Sequence, residues 1–308
     1  MSTPSDDGAG DRVGRARRSV DRAAIIGPLI VLGLFIGLWY LIAYNLDNNF
    51  TPSGKPVIIP PPHRLFDDVQ VFGCPGGLRY ITGGDLPAGA TPVPGCVNAK
   101  KIYEGALISL QTAFTGLFIA IVLGVALAVL MSTASWLERS IWPYLIALQA
   151  VPIIAITPLI IRTVGANFKS RVLTTVIIAI FPIVKNTLFG LLSADQSHHD
   201  LFTLGGAGWW TRLRKLELPG ALPAMFAGFQ ISAGLAVIGA VVGDFFFSRG
   251  RTGVGRLIVD FFQNNQGGLM VICAGLTAIM GILFFVGFGV LNRLAIGRWH
   301  TTVRGATV

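Results

Sequence analysis

Apolar residues run in long blocks along this chain. With Asp, Glu, Lys and Arg taken as breaks, uncharged stretches cover 23–46, 105–137, 140–161, 218–243 and 267–292. A further apolar segment, 172–192, is interrupted by Lys185. Each uncharged stretch exceeds the roughly 18 residues that suggest a membrane span. The pattern predicts an all-α, polytopic membrane protein with six transmembrane helices. They are expected at about 23–45, 104–131, 140–162, 171–192, 219–246 and 268–293. Composition agrees. Of 308 residues, 53% are hydrophobic and 13% charged, with mean hydropathy +0.67. A soluble domain carries about a quarter charged residues. Disorder, coiled coil and most soluble enzymes are excluded.

The net charge of +9 changes the picture little, because the basic residues sit at segment ends. Nucleic acid is therefore not an expected partner; membrane lipid is. Five arginines, Arg12, Arg15, Arg17, Arg18 and Arg22, precede the first block and argue for an inside N-terminus. Alternation then puts the C-terminus, with Arg293, Arg298 and Arg304, inside as well. The global bias is slight, with 12 Lys/Arg on inner segments and 11 on outer ones. Ala23–Leu46 is too long for a signal-peptide core and no small-residue cleavage site follows, so it reads as an uncleaved first span. Residues 1–22 read as a disordered basic cytoplasmic tail, and 299–308 as a second cytoplasmic tail.

The connection 46–102 is an external insertion rich in turn formers, including Pro60-Pro61-Pro62, Gly76-Gly77 and Gly83-Gly84. Irregular structure with little core of its own is expected there. Its role is either contact with an external partner or a simple tether. It holds Cys74 and Cys96, and an outside location favours a disulfide between them over two free thiols. Closing that loop stabilises by roughly 3 kcal/mol in the chain-entropy model. Cys273 lies in an apolar span and reads as a small buried hydrophobe. Gly116, Ala120, Gly124 and Ala128 recur every four residues, and Gly239-x-x-x-Gly243 repeats the theme. Such stripes let helix backbones approach closely in lipid. Prolines 28, 143, 152, 158, 182 and 223 fall inside the spans and predict kinks.

Neither a phosphate-binding lysine loop nor a Cys/His metal cluster is visible. The adjacent pair His198-His199 cannot place both rings on one helix face. Nothing argues for an enzyme or for a cofactor bound by this chain. The most informative stretch is 195–223, polar and charged, between two inner span ends. It begins helix-like, breaks at Gly205-Gly206, resumes through Trp209–Leu218 and is expected to stop at Pro219. Two short amphipathic helices around a glycine turn would make a compact knob. It could enter a partner's groove, or lie on the membrane with Trp209 and Trp210 as interfacial anchors.

This stretch resembles the coupling loop of permease subunits of bacterial ABC importers. The usual pattern is Glu-Ala-Ala, a glycine, and a closing Leu-Pro. Here Asp200-Leu201-Phe202, Gly206 and Leu218-Pro219 take those places. Leu-Pro-Gly-Ala-Leu-Pro at 218–223, Val-Val-Gly-Asp at 241–244 and Gly-Val-Gly-Arg-Leu-Ile at 253–258 are also similar. So are Val151-Pro152, Pro158 and Phe-Pro-Ile-Val-Lys-Asn-Thr at 181–187. Together they resemble the nitrate/sulfonate/taurine branch, which includes permeases for thiamine pyrimidine precursors. The resemblance covers roughly 105–300. The sequence departs from the pattern at Asp200 for Glu, Leu201-Phe202 for two small residues, Asp244 for the common Glu, and Lys185 for an apolar residue.

The resemblance implies a five-helix permease core, 103–298, with a coupling loop at 195–219. It implies a homodimer or a pair with a sister permease, two cytosolic ATP-binding subunits that hold ATP and Mg, and an external solute-binding protein. It places the chain in the bacterial plasma (inner) membrane. Asp200 would make a charged contact with the ATPase and Gly206 would set the turn. Leu201, Phe202, Trp209, Trp210, Leu213, Leu218 and Pro219 would complete the contact. The solute would be small and polar, such as nitrate, a sulfonate or a pyrimidine precursor. Gln149, Lys185, Asn186 and Asp244 are candidates for the pathway, since an ionisable group in a span is by default functional. Lys185 either attracts an anionic solute or snorkels to the inner interface. Asp244 either gates the pathway or caps against Arg249 or Arg251. The competing reading is a self-sufficient channel or secondary transporter, or a membrane anchor; the absence of internal repeats weighs against a carrier.

Overall fold

The computed structural model describes residues 22–50, 60–65, 69, 74–87, 89–91, 93–247 and 250–296. The chain divides into two units, residues 1–63 and 64–308. Regular structure among the described residues is wholly helical. The first unit contains helix α1 (Arg22–Phe50). The second begins with a short helix, α2 (Gly77–Ile81), then the long α3 (Pro94–Ser132). α4 (Ser135–Ala150) and α5 (Ile153–Thr163) follow, then α6 (Phe168–Leu192) and α7 (Gln196–Leu204). The chain ends through α8 (Trp209–Arg212), α9 (Leu218–Phe246), α10 (Val254–Gln263) and α11 (Gly267–Ile296).

Four stretches among the described residues are long and apolar enough to cross a membrane: Pro94–Ser132, Phe168–Leu192, Trp209–Phe246 and Gly267–Ala295. The bent pair α4 and α5 makes a fifth if taken as one span. The apolar part of α1, Leu29–Asn45, is shorter than these. The structure thus supports four or five spans where the hydropathy pattern predicts six. The tail readings 1–22 and 299–308 lie outside the described residues, apart from Arg22 at the start of α1.

Two expectations are corrected. The block 140–162 is not one straight span. It turns by 98° between α4 and α5. Val151 adopts extended geometry (ψ 122°) ahead of Pro152, because the proline ring crowds the helical conformation of its predecessor. Nor does the helix after Trp209 stop at Pro219. Trp209–Phe246 is one continuous helical rod of 38 residues. A π-helical turn, Leu213–Glu217, sits just ahead of Pro219. Such a turn accommodates the donor that proline lacks.

α6 lies between α3 and α9, and small residues let it get there. A methyl group on Gly116 would come 2.4 Å from Thr175 Cγ2, and one on Gly239 2.7 Å from Thr175 Cα. Both stripes noticed in the sequence therefore pack within the chain against α6, Gly116 and Gly239 on Thr175, Gly124 on Ile183 and Gly243 on Arg171. Ala113, Ala120, Ala179, Ala233, Ala236 and Ala240 fill the surrounding core with no exposure. Ser232 Oγ donates to the Ala179 carbonyl at 2.7 Å, tying α9 to α6. A second core gathers Leu188, Leu191, Leu213, Ala221 and Met225, with Trp142 of α4 stacked on Phe181 at 6.0 Å. α10 is amphipathic. Leu257 and Phe261 pack with Ile102 of α3 and with Leu269 and Cys273 of α11. Cys273 is fully buried and free, as its setting suggested.

α3 has 39 residues, about 58 Å of helix. The hydrocarbon core is about 30 Å thick. Its first turns therefore continue beyond the apolar run. Cys96 in the first turn is bonded to Cys74, with Cα atoms 5.7 Å apart. Tyr80, Ile81 and Ala99 pack around the bridge, and Lys100 Nζ sits 4.6 Å from the Tyr80 ring centre. The insertion thus has a small core, built around its disulfide, where little was expected.

Candidate functional site

The stretch 195–219 keeps its glycine turn and its exposed face. α7 closes in a left-handed cap. Gly206 has φ +69°, the Ala207 N–H donates to Phe202 O at 2.9 Å, and the Gly206 N–H donates to Thr203 O at 3.0 Å. These two bonds are the Schellman pattern, which places glycine at the left-handed position because a Cβ is disfavoured there. Asp200 is exposed, and its Oδ1 accepts from Gln196 Nε2 at 3.4 Å. Leu201, Trp209 and Trp210 are exposed, Phe202 and Leu218 are half-buried, and Pro219 is exposed. The two indoles lean on each other with centroids 5.9 Å apart. Leu204, which the sequence reading passed over, is 88% exposed. The available signal was its position three residues after Leu201 on an otherwise polar helix.

Leu213 departs from expectation. It is 1% exposed and belongs to the core with Leu188, Leu191 and Ala221. It anchors the turn to the bundle and has no face left for a partner.

The four candidate pathway residues do not converge. Lys185 is exposed on α6 and Gln149 is exposed on α4. Asn186 is half-buried and donates to its own helix at Pro182 O, 2.8 Å away. Asp244 is fully buried at the far end of α9. Its partner is Arg171, at 3.1 Å between Nη1 and Oδ1, and Arg171 is 2% exposed. Arg171 lies 14 residues before Lys185 on α6, about 21 Å of helix rise away. Of the two caps expected for Asp244, one can be placed. Arg249 lies outside the described residues, and Arg251 contributes its backbone carbonyl, which accepts from Arg171 Nη1 at 2.7 Å.

Around this ion pair three backbone groups, at Phe247, Arg251 and Val254, are held. Arg171 Nε donates to Phe247 O at 3.0 Å. Arg171 Nη1 holds Arg251 O. The Val254 N–H donates to Ser109 Oγ at 2.8 Å, and the Ser109 hydroxyl donates to Asp244 Oδ2 at 2.5 Å. Gly253 leaves room for the carboxylate, since a Cβ there would sit 2.0 Å from Asp244 Oδ2. Sequence reasoning named Asp244 but missed Arg171 and Ser109. An arginine at the edge of an apolar run looks like ordinary flanking charge. Among the described residues no group of three or more His, Cys, Asp or Glu is placed to hold a metal.

Comparison with known proteins gives the family and the fold. Residues 120–296 match the family described as binding-protein-dependent transport system inner membrane component. The chain is 36% identical over 167 residues to the riboflavin transport system permease protein RibX of Chloroflexus aurantiacus. That match covers 54% of this chain and 61% of the relative, less than two thirds of its length. It is 33% identical over 179 residues to the formylaminopyrimidine transport permease protein ThiX of Halalkalibacterium halodurans, covering 58% of this chain and 70% of that one. Among solved structures, a chain from inward-facing MetNI methionine ABC transporter superposes with TM-score 0.51 at 18% identity. The superposition covers 63% of this chain and 94% of that one, and speaks for the fold. The matched region takes in the turn at Gly206, the rod that leaves it and the buried pair at that rod's far end, and the chain belongs to the binding-protein-dependent transport system inner membrane component family, the permease subunits of ABC importers.

Proposed function

We propose that this chain forms the solute pathway of an ATP-driven importer and couples it to separate cytosolic ATPase subunits. The observation that carries the reading is the joint between turn and rod. An exposed turn bearing Asp200, Leu201, Leu204, Trp209 and Trp210 leads into a helix that carries Asp244 in its last turn and ends at Phe246. A push on the turn is thereby delivered along the 38-residue rod to the segment at its other end. Leu213 holds the rod's base in the bundle, so the turn moves with the helix.

In this reading the turn faces the cytosol and the disulfide lies outside. α1 supplies a first span and the α4–α5 pair a third, giving six. Asp200 makes the charged contact with the ATPase, Gly206 shapes the turn, and the indoles and exposed leucines supply apolar contact. A second permease copy, or a sister subunit, completes the pathway, and an external solute-binding protein delivers the solute. ATP and Mg stay on the partner; this chain carries no chemistry. The solute is small and polar. The relatives' names suggest a flavin or a pyrimidine precursor, and the resemblance to the wider branch adds nitrate and sulfonates. Lys185, exposed on an apolar helix, is the residue most suited to meet an anion on its way.

The test is purification of the tagged chain from native membranes in mild detergent, with co-eluting proteins identified by mass spectrometry. A cytosolic ATPase is expected to co-elute, and to be lost when Asp200 and Gly206 are replaced. Gly206→Pro is expected to insert normally but to abolish uptake, because proline cannot adopt φ +69°. Normal transport by that variant sinks the coupling role.

A further inference from the structure

A cavity of about 1040 Å3 lies between α3 and the segment leading into α10. Down α3 it is lined by Lys101, Glu104 and Gln111, and opposite them by Arg251, Thr252 and Asp260. A smaller pocket of about 380 Å3 shares Ile108, Gln111 and Arg251 with it and continues to Arg171. Gln111 and Arg251 therefore mark where the two spaces meet, at the end of the cavity farthest down α3. Lys101 and Glu104 lie about 15 and 10 Å of helix rise nearer the start of α3.

Two cations, Lys101 and Arg251, and two anions, Glu104 and Asp260, line this space. Asp260 Oδ1 is engaged by Arg256 Nε at 3.0 Å, from outside the lining. Arg251 is exposed to the cavity, and among the described residues its guanidinium has no hydrogen bond or ion pair. Its backbone, by contrast, is held hard, with Arg171 Nη1 on its carbonyl and Val254 bound to Ser109 just beyond. A buried ion pair is often no more stabilising than apolar packing of the same volume. Here the Arg171–Asp244 pair has a further use, as the pedestal that fixes where Arg251 stands.

We propose that Arg251 and Gln111 form an oxyanion-reading site at the base of an externally open cavity, with Arg171 and Asp244 as positioning residues. The inference rests on the importer reading and names the solute chemistry for which the outer face is built. A guanidinium meets two oxygens of a carboxylate, sulfonate or nitrate with two parallel N–H bonds, which an ammonium cannot do. The Gln111 amide donates to the third oxygen that a sulfonate or nitrate carries and a carboxylate lacks. An uncharged heterocycle gains nothing from the unpaired guanidinium.

The site can be read with a thiol, because Cys74 and Cys96 are bonded to each other and Cys273 is buried. The full transporter carries Thr252→Cys in its native membrane and is treated from outside with a membrane-impermeant maleimide. Labelling is expected. Propane-1-sulfonate or nitrate is expected to slow it about tenfold at constant ionic strength, while chloride and cytosine leave it unchanged. The stronger of the two protecting anions tells an organic from an inorganic oxyanion. Adding Arg251→Gln is expected to remove the protection and Arg251→Lys to keep part of it. Adding Asp244→Asn is expected to raise the half-protecting concentration severalfold while the unprotected labelling rate stays measurable. The proposal is overturned by any of four results: no labelling from outside, equal protection by cytosine, protection that survives Arg251→Gln, or protection by the solute-binding protein alone with no anion present. Failure of the importer reading shows separately, as absence of the ATPase from the purified complex.

Discussion

Arg171→Met isolates what the buried ion pair contributes. The substitution keeps an unbranched apolar stem of similar path but removes the guanidinium. Asp244 then stays at zero exposure with its cationic partner gone, and Phe247 O and Arg251 O lose their donors. Breaking one side of a buried pair costs about 3–5 kcal/mol. Each abandoned carbonyl adds about 1 kcal/mol or more where water cannot reach it. A loss of at least 3 kcal/mol is expected, a factor of about 150 in the folding equilibrium. Arg171→Met/Asp244→Leu removes both charges and is expected to be no less stable than Arg171→Met. The coupling between the two positions should then be about 2 kcal/mol or more. Reversible unfolding of the purified chain from mixed micelles by added SDS, followed by tryptophan fluorescence, provides the four free energies of the cycle. If the two single losses simply add, within about 0.5 kcal/mol, the side chains are independent. The pedestal argument then fails.

Three other outcomes follow from the packing. Leu213→Ala is expected to lower stability by about 2–5 kcal/mol in the same unfolding assay, the range for a buried leucine, whereas Leu204→Ala, on the exposed face, should leave it within about 0.5 kcal/mol. Gly239→Leu drives a side chain into the Thr175 backbone and should lower stability by about 1–3 kcal/mol or more in that assay, with a smaller yield of folded protein. Replacing Cys74 and Cys96 with serine opens a 23-residue loop, which the chain-entropy expression sets at about 3.4 kcal/mol; proteolysis of the insertion should accelerate while the helices below it stay protected.

Much of this architecture is legible in the amino-acid pattern. Membrane helices must satisfy their own backbone groups, so a long apolar run has few alternatives to a helix. The runs at 105–137, 172–192, 218–243 and 267–292 accordingly appear as long helices. Gly206 and its turn are legible too, because a left-handed cap selects glycine by local sterics alone. Hydropathy does not report direction. It shows the 140–162 block as apolar, but only the geometry at Val151 and Pro152 reveals a 98° turn. It shows Pro219 as a breaker, but the π-helical turn ahead of it and the packing of Leu213 carry the helix through.

The sequence by itself determined that the chain is a bundle of apolar helices, that two cysteines sit outside the apolar runs, and that a polar glycine turn interrupts them. Each of these depends on a residue and its near neighbours. Tertiary structure alone decided that Arg171 and Asp244, 73 positions apart, share one buried site with Ser109. It also decided that Gly116 and Gly239 close on the same threonine, and that Arg251 stands at a cavity with its guanidinium unpaired among the described residues. Pairing across helices depends on how each helix is rotated and how closely its neighbours approach, and that is set by the packing of every small residue along the interface. A charge at the end of a span looks the same in sequence whether it meets water or a buried carboxylate. Only the assembled bundle tells the two apart.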